Sequence, residues 1–310
     1  MRDAMMRAIT ELAEIDHNVM LLTADLGFSI FEEFEKKFPD QYINVGVAEQ
    51  NMTGVGAGLA LEGKKIFTYS IGNFPTLRCL EQIRNDICYH DLNVNIIAMG
   101  GGFSYGPLGM THHATEDLSI LRSLPNMTVI APSGKEEAYQ LVKQAVERPG
   151  PSYFRIDKTV ANSDSGRIEI GELHQITDGE DAVIFAIGGI VFEAEKAANE
   201  LYKIGIKATI VSVHTLKPIN DNQLINLCSG KKCVLTIEEN NIYGGLASCV
   251  AEILSQNNIQ VPFISMGIKD CFISEVGSQN YLQTKTGLSS DNIVENIANM
   301  IAGRVGNEKV

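Results

Sequence analysis

The sequence predicts an α/β protein of two doubly wound domains, and three observations carry that expectation. Runs with helical spacing of apolar residues alternate with short, continuously apolar runs, the pattern of parallel strands covered on both faces. The alternation lapses once, between Asp157 and Asp178, into polar residues and glycines, and then resumes. The chain has 310 residues, enough for two cores of ordinary size. The expected domains are therefore 1–160 and 181–310, joined by a linker at 161–180.

In chain order, 2–15 reads as an amphipathic helix and 19–23 as a buried strand. After the turn ADLG at 24–27 comes a polar helix over 29–37, ended by Pro39. Strands are expected at 42–45, 65–69, 94–99, 127–131 and 153–156, with helices near 49–61, 76–90, 117–124 and 135–147 between them. The second alternation places strands at 182–187, 208–213, 233–237 and 262–265 and a last helix near 291–302. No sequence repeat relates the two halves.

Composition narrows the function classes. A hydrophobic share of 45% and a charged share of 20% suit a globular protein. The net charge of -13, with no Lys/Arg cluster, disfavours nucleic acid and anionic membrane surfaces as partners. Cys79, Cys88, Cys228, Cys233, Cys249 and Cys271 show no CxxC and no metal-ligand spacing, and most sit in apolar runs as reduced core thiols do. No stretch is long enough to span a bilayer, and no signal-peptide pattern precedes the first helix, so the cytoplasm is the expected compartment.

The stretch VGVAEQNMTGVGAGLALEG at 45–63 is where the chemistry is expected. It sets Glu49 at the head of a helix whose Gly54, Gly56 and Gly58 each cost about 0.5–1 kcal/mol relative to alanine, which suggests close approach of a backbone or a flat ligand. Glu49 can be a solvated first-turn carboxylate; in an apolar surround it must be paired, hydrogen-bonded or neutral. The loop MGGGFSYGPLGMTHH at 99–113 follows a strand, where open α/β sheets bind ligands, but it has no P-loop lysine. His112 and His113 are adjacent with no third ligand spaced to make a metal site. IGGIV at 187–191 reads as a tight turn rather than a dinucleotide fingerprint, and EENNIYGGLA at 238–247 reads equally as a solvated acidic turn or a close-backbone site.

The run FPDQYINVGVAEQNMTGVGAGLALEGKKIF closely resembles the pyrimidine-binding domain of transketolases, and the resemblance continues through LRCLEQIRND, MTHHATEDLSILRSLPNMTVIAPS, HTLKPI and EENNIYGGLASCVAEIL, over nearly the whole chain. It implies a transketolase C-terminal domain in the second half and thiamine diphosphate as cofactor. Glu49 falls where the family's glutamate hydrogen-bonds N1′ of the aminopyrimidine, and a carboxylate in a water-poor helix end can share a proton with a ring nitrogen. Phe74 falls where an aromatic stacks on that ring, and Ile71 stands where many relatives have a second phenylalanine. Asp25 matches an acidic residue near the thiazolium, and His112 matches a histidine that reaches substrate oxygens. Arg2, Ser29 and Arg155 match positions that hold a sugar phosphate, a task guanidinium forks suit.

Two departures bear on substrate. Leu108 replaces an aspartate that reads a donor hydroxyl, and Gly100 replaces a phosphate-side histidine, so the resemblance implies a modified or non-phosphorylated sugar. The family's diphosphate-binding domain, with its Gly-Asp-Gly and magnesium ligands, has no counterpart; Asp178-Gly179 precedes a strand instead. The chain thus reads as the C-terminal subunit of a split transketolase-like transferase, in a heterotetramer whose partner supplies the diphosphate and Mg2+ site. A decarboxylating relative, like deoxyxylulose phosphate synthase or a 2-oxoacid dehydrogenase β chain, and a non-catalytic scaffold subunit are the alternatives.

Overall fold

The computed structural model describes residues 1–27, 29–161 and 166–303. Helix α1 (Arg2–Ile15) turns Met5, Ile9, Leu12 and Ala13 inward as one stripe. Strand β1 (Val19–Thr23) is buried at every position. Helix α2 (Glu32–Lys37) starts three residues later than the polar run suggests, because Ser29 takes φ +62° and its N–H donates to Glu32 Oε1 at 2.7 Å. Then come β2 (Tyr42–Asn44), α3 (Glu49–Leu61) and β3 (Lys65–Ile71). The helix expected near 76–90 is a composite: a 3-10 turn at Leu77–Cys79, one α-turn α4 (Leu80–Gln82) and a π-helical stretch at Ile83–Cys88.

The first half continues with β4 (Val94–Met99), α5 (Asp117–Arg122), β5 (Thr128–Ile130), α6 (Lys135–Ala145) and β6 (Ser152–Ile156). The second comprises β7 (His174–Gln175), β8 (Ala182–Ile187), α7 (Val191–Lys203), β9 (Ala208–Ser212), β10 (Thr215–Lys217), α8 (Asp221–Cys228), β11 (Cys233–Asn241), α9 (Leu246–Gln256), β12 (Phe263–Ile268), α10 (Gln279–Lys285) and α11 (Ser290–Ile301).

Two sheets result, with strand orders β10-β5-β6-β4-β3-β1-β2 and β12-β11-β8-β9-β7. All pairings are parallel except β10 on β5 and β7 on β9. Both exceptions were hidden in the sequence pattern. The stretch taken for a linker contributes β7 to the second sheet. Part of HTLKPI crosses to the first: Thr215 faces Ile130, and Lys217 Nζ donates to the Arg122 carbonyl at 3.1 Å. The loops after β1, β3, β4 and β6, together with the start of α3 after β2, all gather at the carboxyl end of the first sheet, the edge where such sheets hold ligands.

Candidate active site

Glu49 is the first residue of α3 and only 2% exposed. Ser70 Oγ, from β3, donates to its Oε1 at 3.3 Å, and Arg78 Nη1 donates to its Oε2 at 2.7 Å. Of the ways open to a buried carboxylate, this one is paired. The Arg78 side chain is itself half-exposed, and its guanidinium carbon lies 5.2 Å from the centre of the Phe74 ring. Arg78 therefore satisfies the acid and lies against the aromatic at once.

Phe74 meets His112 edge-on, ring centres 5.3 Å apart at 70°. Thr111 Oγ1 lies 3.1 Å from His112 Nδ1, and the Tyr105 ring lies 6.4 Å away. His113 turns the other way, into the core, with Phe103 at 5.2 Å and the Gly106 carbonyl at 3.5 Å from Nε2. Burial holds His113 below the ordinary histidine value, so its ring is neutral near pH 7. Among the described residues no group of three or more His, Cys, Asp or Glu is placed to hold a metal ion.

The surround of Glu49 is less closed than the sequence suggests. Gly56 does permit close packing, since an added Cβ would lie 3.3 Å from Ile66 Cγ2 of β3. Gly54 and Gly58 face open space on the outer side of α3, next to the exposed Gln50 and Asn51.

A cavity of about 380 Å³ opens beside this group, lined by Arg2, Tyr69, Ile71, Met99, Tyr105 and Lys158 among others. Asp25 stands at its edge beyond β1, with φ +55°; it accepts from Asn44 Nδ2 at 3.1 Å and its N–H donates to Asn44 Oδ1 at 3.0 Å. Leu26 and Gly27, which follow, line the cavity. Arg2 reaches in from the start of α1 with Asp3 as its ion-pair partner at 3.0 Å. Ser29 is exposed and lines an adjoining groove with Arg7 and Glu33.

Arg155 corrects the sequence reading. It is 2% exposed and does not reach the cavity. Its place in β6 puts it on the same strand face as Tyr153, toward α5, where Nη1 lies 3.3 Å from Asp117 Oδ1 and Nη2 donates to the Glu239 carbonyl at 2.6 Å. A guanidinium spent on buried partners is not a ligand for a sugar phosphate. Lys158, just past the end of β6, takes its place at the cavity, with Nζ 3.7 Å from the centre of the Tyr105 ring.

Tyr105 also accounts for Gly100. That glycine has φ +95°, and a Cβ on it would lie 2.1 Å from Tyr105 Cε2, so a histidine there has no room. Leu108 is 55% exposed on a short turn of the same loop. Arg78 and Lys158 escaped the sequence reading, although Arg78 stands one helical turn after Phe74 and Lys158 is the first cation beyond a strand's carboxyl end. Glu238 and Glu239, which the sequence left between two readings, are both buried: Glu238 accepts from the N–H groups of Leu246 and Ala247, at 2.8 Å each, at the head of α9.

Both halves of the chain are similar to known proteins. The family model for the transketolase pyrimidine-binding domain matches residues 1–162, and that for the transketolase C-terminal domain matches 171–293. The 6-deoxy-6-sulfo-D-fructose transketolase subunit SqwH of Clostridium sp. is 36% identical over 95% of this chain and 92% of its own. The 1-deoxy-D-xylulose-5-phosphate synthase of Aquifex aeolicus is 33% identical over 96% of this chain, which spans 48% of that protein. A solved structure described as a split gene transketolase, inactive beta4 tetramer, superposes with a TM-score of 0.86 at 35% identity, over 97% of both chains.

Proposed function

This chain belongs to the transketolase family, and from that premise we propose that it is the C-terminal subunit of a split, thiamine diphosphate-dependent transferase that moves a two-carbon ketol unit from a ketose to an aldehyde. The observation that carries the reading is the Glu49–Arg78–Phe74 arrangement. A guanidinium is a flat N–H donor, and here it is bonded to a buried carboxylate while lying against an aromatic ring. An aminopyrimidine protonated at N1′ makes the same two demands, so the residues fit it.

When bound, the cofactor supplies the carbanion chemistry that the protein's own side chains lack. Glu49 Oε2, now held by Arg78, is the atom that would share a proton with ring nitrogen N1′, and Phe74 would give the ring its flat wall. Ser70 fixes the other carboxylate oxygen, which leaves Oε2 aimed. Asp25 would stand at the thiazolium side and Ile71 at the cavity wall. His112, held by Thr111, would meet substrate oxygens, and Arg2, with Ser29 at the adjoining groove, would receive the far end of the sugar. Gly100 and Leu108 remove the family's phosphate-side histidine and hydroxyl-reading aspartate, which supports a modified or non-phosphorylated sugar; the sulfosugar named for SqwH is a relative's example.

The domains we assign are 1–160 and 181–310, joined through 161–180, whose β7 pairs with the second sheet. The partner chain would hold the diphosphate through Mg2+, completing a cytoplasmic heterotetramer of two chains of each kind with the site between them. Mixing this chain with its partner, thiamine diphosphate and Mg2+ should restore ketol transfer on a panel of ketoses, and Glu49→Ala should lower it about 10²–10⁴-fold. Full activity of this polypeptide alone, or of the Glu49→Ala complex, would defeat the proposal. Similarity to 1-deoxy-D-xylulose-5-phosphate synthases supports one competing reading, a decarboxylating subunit, which carbon dioxide release from pyruvate would establish in its place.

A further inference from the structure

Behind the glycine loop at 100–102 lies a buried acidic seam between the two sheets. Asp117 of α5 and Asp157 just beyond β6 pair with the Arg155 guanidinium, the carboxyls of Glu238 and Glu239 of β11 lie in its field, Glu238 also in that of Arg122, and neither the four carboxyls nor Arg155 is appreciably exposed. Complete ionisation of four carboxyls against the two guanidiniums would leave two negative charges uncompensated in a medium of low dielectric, so the seam holds protons.

The hydrogen bonds say where. Asp117 accepts from Tyr153 Oη at 2.5 Å and faces Arg155 Nη1 at 3.3 Å. Asp157 Oδ2 accepts from the Gly189 N–H at 2.6 Å, and its Oδ1 lies 3.7 Å from Arg155 Nε. Both oxygens of Glu238 accept from backbone N–H groups. Glu239 is the least compensated. Gln279 Nε2, from α10, donates to its Oε2 at 2.8 Å with Gln283 beside it, Arg155 spends its nearest N–H on the Glu239 carbonyl, and Oε1 has no hydrogen-bond partner among the described residues.

Glu239 also touches the loop that carries the candidate site. A Cβ on Gly102 would lie 2.6 Å from Glu239 Oε2, and one on Gly101 would lie 2.0 Å from Arg155 Nε. Gly102 in turn exchanges two backbone hydrogen bonds with Ala114, at 2.8 and 3.0 Å, two residues after His112. The backbone bearing His112 is thus braced through Gly102 on the Glu239 carboxyl.

We propose that Glu239 is a positioning residue that works as a neutral acid, its proton allowing the loop over 100–114 to seat against the seam. Burial, reinforced by the Asp157 charge, pushes its carboxyl up to about 8, and burial pushes that of Glu238 up to about 7. The charged and titratable groups around Glu239 are Arg155, Asp157, Tyr153 and Asp117 on the first-sheet side and Glu238 on its own strand; α10 contributes only amides. Once ionised, Glu239 repels Asp157 and the loop loosens.

The proton itself assumes nothing about catalysis; only its consequence for His112 rests on the transketolase reading, so the test uses the full chain and no turnover. Amide hydrogen exchange over residues 100–114, corrected for the intrinsic rate, is followed from about pH 6 to about pH 9. The wild type should lose about tenfold in protection through pH 8, whereas Glu239→Gln, an isostere of the neutral acid, should keep its protection throughout. Infrared difference spectra at the acid end should show a carboxylic-acid carbonyl band that Glu239→Gln lacks. A Glu239→Gln chain that follows the wild-type pH dependence, or a wild type without that band, overturns the proposal. Glu239→Ala should be unprotected at every pH, and the other two readouts decide the matter should it fail to fold.

Discussion

At the scale of single residues, the arrangement that matters most is a buried acid with a half-exposed partner. Glu49 is buried, and Arg78 reaches its carboxylate from a half-exposed position. Truncating Arg78 to alanine should destabilise the isolated chain by about 1–3 kcal/mol, because Glu49 would keep only the 3.3 Å hydroxyl contact of Ser70. Adding Glu49→Gln to Arg78→Ala should recover most of that loss, since a neutral amide needs no counter-charge. Urea unfolding of the two single variants and the double variant measures the coupling. Additive effects would mean that the contact stabilises nothing. The sequence showed Glu49 because a charge in a run of small apolar residues stands out. It could not show Arg78 as the partner, because nothing in a string of letters says that a 3-10 turn aims residue 78 back at residue 49.

At the scale of elements, legibility followed the strength of the local pattern. Helix α1 and strands β1, β4 and β8 lie where the apolar spacing puts them, because each buries a stripe or both faces of its own length. Short pairings were invisible: β7 and β10 have two and three residues and take their conformation from the strand they join. The helix around 76–90 was legible as helical but not as a composite, since its 3-10 and π turns follow from packing and not from propensity. In the loop after β4 the glycines were visible and their cause was not; Tyr105 lies over Gly100, and Arg155 and Glu239 lie under the next two. Gly100→Ala should therefore cost about 2 kcal/mol or more, combining left-handed backbone strain with overlap on the Tyr105 ring. Removing the ring as well, in Gly100→Ala/Tyr105→Ala, should return less than Tyr105→Ala alone takes away if strain dominates, and more if overlap does. Thermal unfolding of the three variants separates the two causes, and an unchanged melting point for Gly100→Ala would contradict both.

At the scale of the whole molecule, the two sheets are joined by groups that no local pattern reveals: β10 crossing to β5, the Arg122–Glu252 ion pair, and the acidic seam around Arg155. The seam gives the chain a stability that depends on pH in a definite sense. Glu238 and Glu239 have folded values raised to about 7 and about 8 against an ordinary value of 4.5. Between 4.5 and those values the folded chain binds more protons than the unfolded chain, so their contribution is fully present below pH 4.5 and is lost as pH rises toward 8. Burial moves His113 and His214 the opposite way, below their ordinary 6.5, so each gains stability as pH rises, and that gain is complete above about 6.5. Glu11, Asp16 and Asp181 are held down by their hydrogen bonds and have finished titrating in both states at lower pH. The window from about 6.5 to about 8 therefore belongs to the seam. Unfolding free energy should fall across it by on the order of 1 kcal/mol per pH unit for each acid still protonated, first from both glutamates and then from Glu239 alone. Urea titrations at successive pH values should show that decline in the wild type and a shallower one in Glu239→Gln. A stability that is flat or rising through the window would mean that the carboxylates between the sheets are already ionised, and that the two halves are held together against their charge rather than by its suppression.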